Sequence, residues 1–299
     1  RKPLVIQKSL TISGAGSEET IIVFEGRSIS AENEGKCGGI KLSGEGMLSI
    51  RDVSIRYAGV DTGCDVITAV KGDLRLTRCV ISGGTGEDEK NGGVGSGIWI
   101  HKTARAVVSE CIVVDNGIGI AVTERARARI ELSKILSNEK DGIMIADLAF
   151  CEVRHCEISG NETGIFATDV SRFTARNNIC EENTYSGIAL LDRTQGEIMN
   201  NTCRNNGLHG IAAQEQSRLV ARNNTCEGNK QSGIVLFESA QGEVSGNTCR
   251  NNGLNGIAAR EQSRLVARNN TCEGNKQSGI ALFDSVQGEV VGNTCRNNG

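Results

Sequence analysis

The chain has 299 residues, enough for one large domain or two ordinary ones, and its net charge of −3 gives no general electrostatic reason to bind nucleic acid. Hydrophobic residues make up 38% but aromatics only 3%, with one Pro and 38 Gly, so a core must be built from small aliphatic side chains in thin, regular layers. There is no run of 18 apolar residues, which excludes a membrane-spanning helix; no signal peptide is visible, and a chain running from Arg1 to Gly299 inside a repeat is expected to be a fragment of a larger protein.

In chain order, PLVIQKSLTISGAG (3–16) and GGIKLSGEGMLSIRDVSIRYAG (38–59) alternate apolar and polar residues, as short strands do. Two insertions, Gly59–Val66 and Gly83–Gly97, interrupt this first third. The second is acidic, Gly-rich and expected to be mobile.

From Gly97 onward a ruler appears. Gly-Ile pairs begin at Gly97, Gly119, Gly142, Gly164, Gly187, Gly210, Gly233, Gly256 and Gly279, always 22 or 23 residues apart, and Asn116, Asn138, Asn161, Asn183, Asn206, Asn229, Asn252, Asn275 and Asn298 keep the same spacing. A unit of 23 is too short for a pair of helices, and its internal apolar period is two. Short strands separated by Gly- and Asn-rich turns at a fixed period make a parallel β-solenoid, in which each residue stacks on its equivalent in the next coil. The reading is an all-β, single-stranded right-handed parallel β-helix of 22–23-residue coils, roughly twelve in all, with irregular coils over 1–96 and regular ones over 97–299.

Three columns follow. The Ile after each Gly, from Ile98 to Ile280, forms an inward ladder. Asn178, Asn201, Asn224, Asn247, Asn270 and Asn293 form a structural ladder at an interior bend, where side-chain amides bond one another up the stack. Cys180, Cys203, Cys226, Cys249, Cys272 and Cys295 occupy a slot held by Val113, Ile135 and Ile158 in earlier coils, so the slot is a small buried hydrophobe. Twelve Cys without a CxxC, six of them in one column, argue against a disulfide framework and against a converging metal site. Reduced thiols lead to the expectation of a cytoplasmic location. A larger period overlies the smaller one: Gln195–Ala240 and Gln241–Val286 differ at 8 of 46 positions, which alternates unlike charges between neighbouring coils.

The pattern GIxLxxSxxGExxGNxxxxN resembles the right-handed parallel β-helix of the pectin-lyase-like superfamily, of the carbohydrate-binding and sugar-hydrolase repeat type found in NosD-like and β-helical F-box proteins. The resemblance covers nearly the whole chain. It implies polysaccharide lyases, hydrolases, epimerases or non-catalytic binding modules, and in the enzymes clustered acidic residues, acting with calcium or as acid and base.

An acidic residue does recur five positions after each repeat Gly: Glu124, Asp147, Asp169, Asp192, Glu215, Glu238, Glu261 and Asp284. Recurrence in every coil reads as a solvated turn rather than a unique site. His101, His155 and His209 share no column and read as surface residues. The outward positions of the Gly-Ile strand carry Trp99, Met144, Phe166, Leu191, Phe237 and Phe283, an apolar stripe that reads as a contact surface. The leading functional reading is a non-catalytic recognition or scaffold domain binding a protein or glycan through this face, with self-association through the face or the coil ends as a further expectation. No cofactor, metal, nucleic acid or membrane is expected. The alternative is a polysaccharide-active enzyme with its site near the insertions, around Asp61, Asp65, Asp88 and His101.

Overall fold

A computed structural model describes residues 3–25, 38–59, 63–84, 87–88 and 93–299. The chain forms two compact units, Arg1–Met144 with Leu148–Cys151, and Ile145–Asp147 with Glu152–Gly299. Both have the architecture read from the sequence: each coil lays one short strand in each of three parallel sheets, and the described residues contain no helix.

One coil of the second unit shows the plan. Ile188–Leu190 lies in the first sheet, Gln195–Met199 in the second and Thr202–Arg204 in the third. The next coil stacks in register, pairing Ile188 with Ile211, Ile198 with Ala221 and Cys203 with Cys226. In the first unit the isoleucine ladder begins earlier than the ruler implied, at Ile40, Ile67, Ile98 and Ile120. All four are sealed from solvent. The second insertion contains an antiparallel pair, Glu87–Asp88 with Gly93–Val94, while Asp61 lies outside the described residues.

The Asn-Asn and Gly-Asn dipeptides are the bends between sheets. The first member takes a left-handed backbone, as at Asn200, Asn223, Gly246 and Asn269 before the ladder residues and at Asn205, Gly228, Asn251 and Gly274 at the next corner. Asn and Gly tolerate this conformation best. The second member points inward and joins a ladder. Asn201 Nδ2 donates to Asn224 Oδ1 at 3.0 Å and to the Ala175 carbonyl at 2.9 Å, while Asn224 Oδ1 also accepts the Asn201 backbone N–H at 2.9 Å. The row read only as a ruler forms a second ladder, with Asn206 Nδ2 on Asn229 Oδ1 at 2.9 Å and Asn229 on Asn252 at 3.0 Å. The amides of these two ladders are thus paired from coil to coil, which offsets the cost of burying them.

Between the corners the core alternates in bulk. Leu190, Leu236 and Leu282 on the first sheet lean over Gly196, Gly242 and Gly288 on the second; the intervening coils reverse the sizes with Ala213 and Ala259 against Leu219 and Leu265. Charge alternates too. On the third sheet Arg204 meets Glu181, Arg250 meets Glu227 and Arg296 meets Glu273; on the second, Arg176, Arg222 and Arg268 meet Glu197, Glu243 and Glu289. The 46-residue period is therefore the repeat of both packing and charge.

The cysteine column from Cys180 to Cys295 stacks in register as free thiols, and from Cys180 to Cys272 it is buried. The hydrogen bond that the Cys180 thiol donates to Cys203, together with burial, pushes Cys180 well above its usual range. The exception to reduced cysteine is in the irregular region, where Cys64 is disulfide-bonded.

Candidate functional site

On the outer face of the first sheet in the first unit, Lys41, Thr68, Trp99 and Ala121 stand in one cross-strand row, on strands Ile40–Leu42, Ile67–Ala69, Ser96–Ile100 and Ile118–Val122. Asp65 precedes the second of these strands. Its Oδ1 accepts the Ser96 N–H at 3.0 Å and its Oδ2 the Thr68 hydroxyl at 3.2 Å. Burial pushes its carboxyl up to about 6, against the two hydrogen-bond donors and the positive field of Lys41. The group therefore exchanges its proton near neutrality, as a general acid or base must.

His101 immediately follows the third of these strands. Its ring stacks on Trp99 with centroids 4.0 Å apart and planes 8° apart, and Trp99 Nε1 donates to Thr123 Oγ1 at 3.0 Å. His101 Nδ1 faces Glu124 Oε1 at 3.5 Å, while Nε2 is buried with no partner. Burial lowers its pKa first; Glu124 opposes, and Lys102 and Lys41 add to the lowering. A proton on Nδ1 toward Glu124 leaves Nε2 with a free lone pair, the form that can take a proton. Lys41 biases the titration of both Asp65 and His101, so the three belong to one electrostatic neighbourhood.

Of the acidic and histidine candidates near the insertions, Asp65 lies level with Ser96 at the start of the Ser96–Ile100 strand and His101 just past its end, and both feel the charge of Lys41. The backbone of Asp88 is described in its strand and Asp61 is outside the described residues. Lys41 was missed. The signal was present, because Gly39-Ile40-Lys41 places it two after a Gly-Ile pair, the position that Trp99 holds.

The surface reading of the histidines is corrected for two of three: His101 and His209 are 7% and 8% exposed, and only His155 faces solvent. The outward stripe is also less open than a free contact face. Trp99, Met144, Phe166, Leu191 and Phe237 are half-buried and Phe283 is 41% exposed. In the second unit Phe237 folds over Ala212, Val235 and Ala258, which are sealed from solvent, and its ring meets His209 edge-on at 5.6 Å. The side chain four after Gly closes over the one two after Gly, a contact that strand alternation alone does not reveal.

From Asp147 onward the acidic row occupies two-residue turns with left-handed backbone at both positions, such as Asp192-Arg193, Glu215-Gln216 and Glu238-Ser239. These line an open groove of about 630 Å³. Asp192 is lowered by a hydrogen bond with Glu215 and another from Thr168, and Glu215 is raised in return. Among the described residues no group of three His, Cys, Asp or Glu is arranged to hold a metal ion.

Comparison with known proteins agrees with the architecture. No curated protein matches the chain. Solved structures do. A point mutant of the periplasmic alginate epimerase AlgG superposes with a TM-score of 0.77 at 14% identity, over 97% of this chain and 77% of its own. The A-module of the Azotobacter vinelandii mannuronan C-5 epimerase AlgE6 gives 0.67 at 12% identity, over 96% and 85%. The catalytic unit of the GH87 α-1,3-glucanase of Streptomyces thermodiastaticus gives 0.63 at 15% identity, over 98% and 60%. At such identities the likeness is one of fold. The profile of the family described as right handed beta helix region matches residues 38–195 and 163–299, and the chain belongs to that family.

Proposed function

We propose that the chain acts on a polysaccharide, by proton abstraction at a sugar carbon next to a carboxylate, with Asp65, His101 and Lys41 as the working groups. The observation that carries this reading is that one ammonium group, Lys41, acts on both a carboxyl raised to about 6 and an imidazole whose Nε2 has no partner. A base takes the proton, the electron pair moves onto the carboxylate, and Lys41 offsets the added charge. Return of a proton to the opposite face gives an epimer; departure of the neighbouring glycosidic oxygen, protonated by the second group, gives an unsaturated end. Trp99, stacked on His101, fixes the ring and offers an apolar edge to a sugar.

The leading sequence reading, a non-catalytic recognition or scaffold domain, gives way here to its alternative. Solved structures that share this fold over nearly the whole chain include epimerases, a glucanase and a tailspike protein. Their sequence distance leaves the reaction and the sugar as this proposal's own.

The test is to incubate the protein with polymannuronate and with α-1,3-glucan, following anomeric proton signals, ultraviolet absorbance of unsaturated ends and reducing sugar. Epimerised or unsaturated polymannuronate is expected, and its loss in Asp65→Asn and His101→Gln. Inertness of the folded protein toward both polymers, or full activity in both variants, would overturn the proposal; hydrolysis of the glucan would keep the enzyme and replace the reaction.

A further inference from the structure

The two near-identical 46-residue copies show where the chain has been altered. Of their eight differences, His209/Asn255, Gln214/Arg260 and Val235/Ala281 belong to the first sheet of the second unit and its flanks. Side chains there converge on Phe237. The Arg260 guanidinium lies 5.8 Å from the Phe237 ring centroid and 5.1 Å from that of Phe283, and His209 meets Phe237 from the other side.

Two buried donors on the flanks of the Ile257–Ala259 strand have no acceptor, Asn255 before it and Arg260 after it. Asn255 is 1% exposed; its Oδ1 accepts the Ser278 N–H at 3.1 Å, which fixes the amide orientation and leaves Nδ2 buried and unpartnered. Arg260 Nε is buried and unpartnered as well. Six other arginines of this unit have a carboxylate partner, Arg176, Arg204, Arg222, Arg250, Arg268 and Arg296; among the rest, Arg260 is set apart by a buried, unpartnered Nε and by two aromatic neighbours. On His209, Nδ1 accepts the Ser232 N–H at 3.2 Å, so the ring proton of the neutral imidazole sits on Nε2, a third donor. Buried donors are paired almost everywhere in folded proteins, and a cluster of donors beside an uncompensated guanidinium is complementary to an anion with several oxygen atoms.

We propose that this face of the second unit is a separate binding site for a uronate residue of an acidic polysaccharide, its carboxylate taken by Arg260 and Asn255 and its ring laid against Phe237 and Phe283. The half-exposed phenyl rings supply the flat apolar surface that a sugar ring needs, and Phe283, 41% exposed, is the more open of the two. The choice of a sugar as bearer of the carboxylate rests on the polysaccharide reading above; the need for an anion rests on the donors alone.

The experiment is a titration of the protein with oligomannuronate, read by calorimetry and by the NMR signals of the Asn255 amide and the Phe237 and Phe283 rings. The variants are Arg260→Gln and Asn255→His, which install residues that the preceding copy already carries at Gln214 and His209, so the coil keeps a side chain known to fit. Saturable shifts at the three reporters are expected in the parent and in the Asp65→Asn, His101→Gln double variant. At least a tenfold loss of affinity at these reporters is expected in Arg260→Gln. The proposal is overturned by reporters that do not move, by unchanged affinity in Arg260→Gln, or by equal binding of a neutral α-1,3-glucan oligosaccharide. Intact binding here without turnover would instead sink the catalytic assignment to Asp65 and His101 and leave this site standing.

Discussion

Leu236 occupies the space that a side chain at Gly242 would need: a Cβ on Gly242 would come within 2.6 Å of Leu236 Cδ2. The neighbouring coil inverts the pair, with Ala259 on the first sheet and Leu265 on the second. Gly242→Ala is therefore expected to cost about 1–3 kcal/mol through overpacking. The double change Leu236→Ala, Gly242→Leu imitates the neighbouring coil and should cost less than the sum of the single changes. Urea denaturation of the three variants measures the coupling, and strict additivity would show that the two residues do not share one space.

The ladder Asn224 makes a stronger claim. Its amide donates to Asn247 Oδ1 and the Ile198 carbonyl, and its oxygen accepts from Asn201 twice. Asn224→Leu leaves several buried groups unpaired and should cost at least about 3 kcal/mol. Asn224→Ser should cost less, because Ser133 holds the matching inward position in the first unit, taking the Cys111 N–H at 3.1 Å. Equal thermal midpoints for the two variants would refute the ladder's energetic role.

Sequence reading reached the coils, the isoleucine and asparagine columns and the two-coil period because stacking writes each contact as a fixed spacing. It did not reach contacts made sideways across one face. Phe237 covering Val235, the burial of His209 and the field of Lys41 depend on how long side chains lean, and no periodicity records that. The second ladder was legible as a ruler but not as a structure, since the Gly or Asn before each of its members had to be recognised as a left-handed bend. Asp65 and His101 were visible only as titratable residues near irregular coils; that they flank one strand pair, Asp65 level with Ser96 and His101 past Ile100, needed the register of Ile67 with Ile98.

His209 gives a pH prediction. Burial, with Arg260 adding to it, pushes its imidazole down to about 4 from the ordinary 6.5. A depressed histidine stabilises the fold fully above 6.5, and that contribution is lost as pH falls through 4, since the unfolded chain takes the proton first. The loss approaches about 3 kcal/mol at its limit. His209→Asn should remove this part of the acid sensitivity while keeping the fold, because Asn255 fills the equivalent place in the next copy. Denaturation midpoints at pH 7 and pH 4.5 decide it; a variant as acid-sensitive as the parent would place the titration elsewhere.

Asp65 has the opposite sign. Its carboxyl is raised from 3.8 to about 6, so folding favours the protonated form. That stabilisation is fully present below 3.8 and is lost as pH rises through 6, leaving a partly buried carboxylate as a cost at neutral pH. Asp65→Asn retains an amide oxygen for the Ser96 N–H and carries no charge. The variant should match the parent at pH 4 and exceed it at pH 8, by about 1–2 kcal/mol once partial exposure is allowed for. Turnover of polymannuronate should fall by about 10²–10⁴-fold, the usual worth of a general acid or base. A stability gain together with a loss of activity is the signature of a working group held against the preference of the fold. A variant that is both more stable at pH 8 and fully active would make Asp65 a structural carboxylate and remove it from the proposed site.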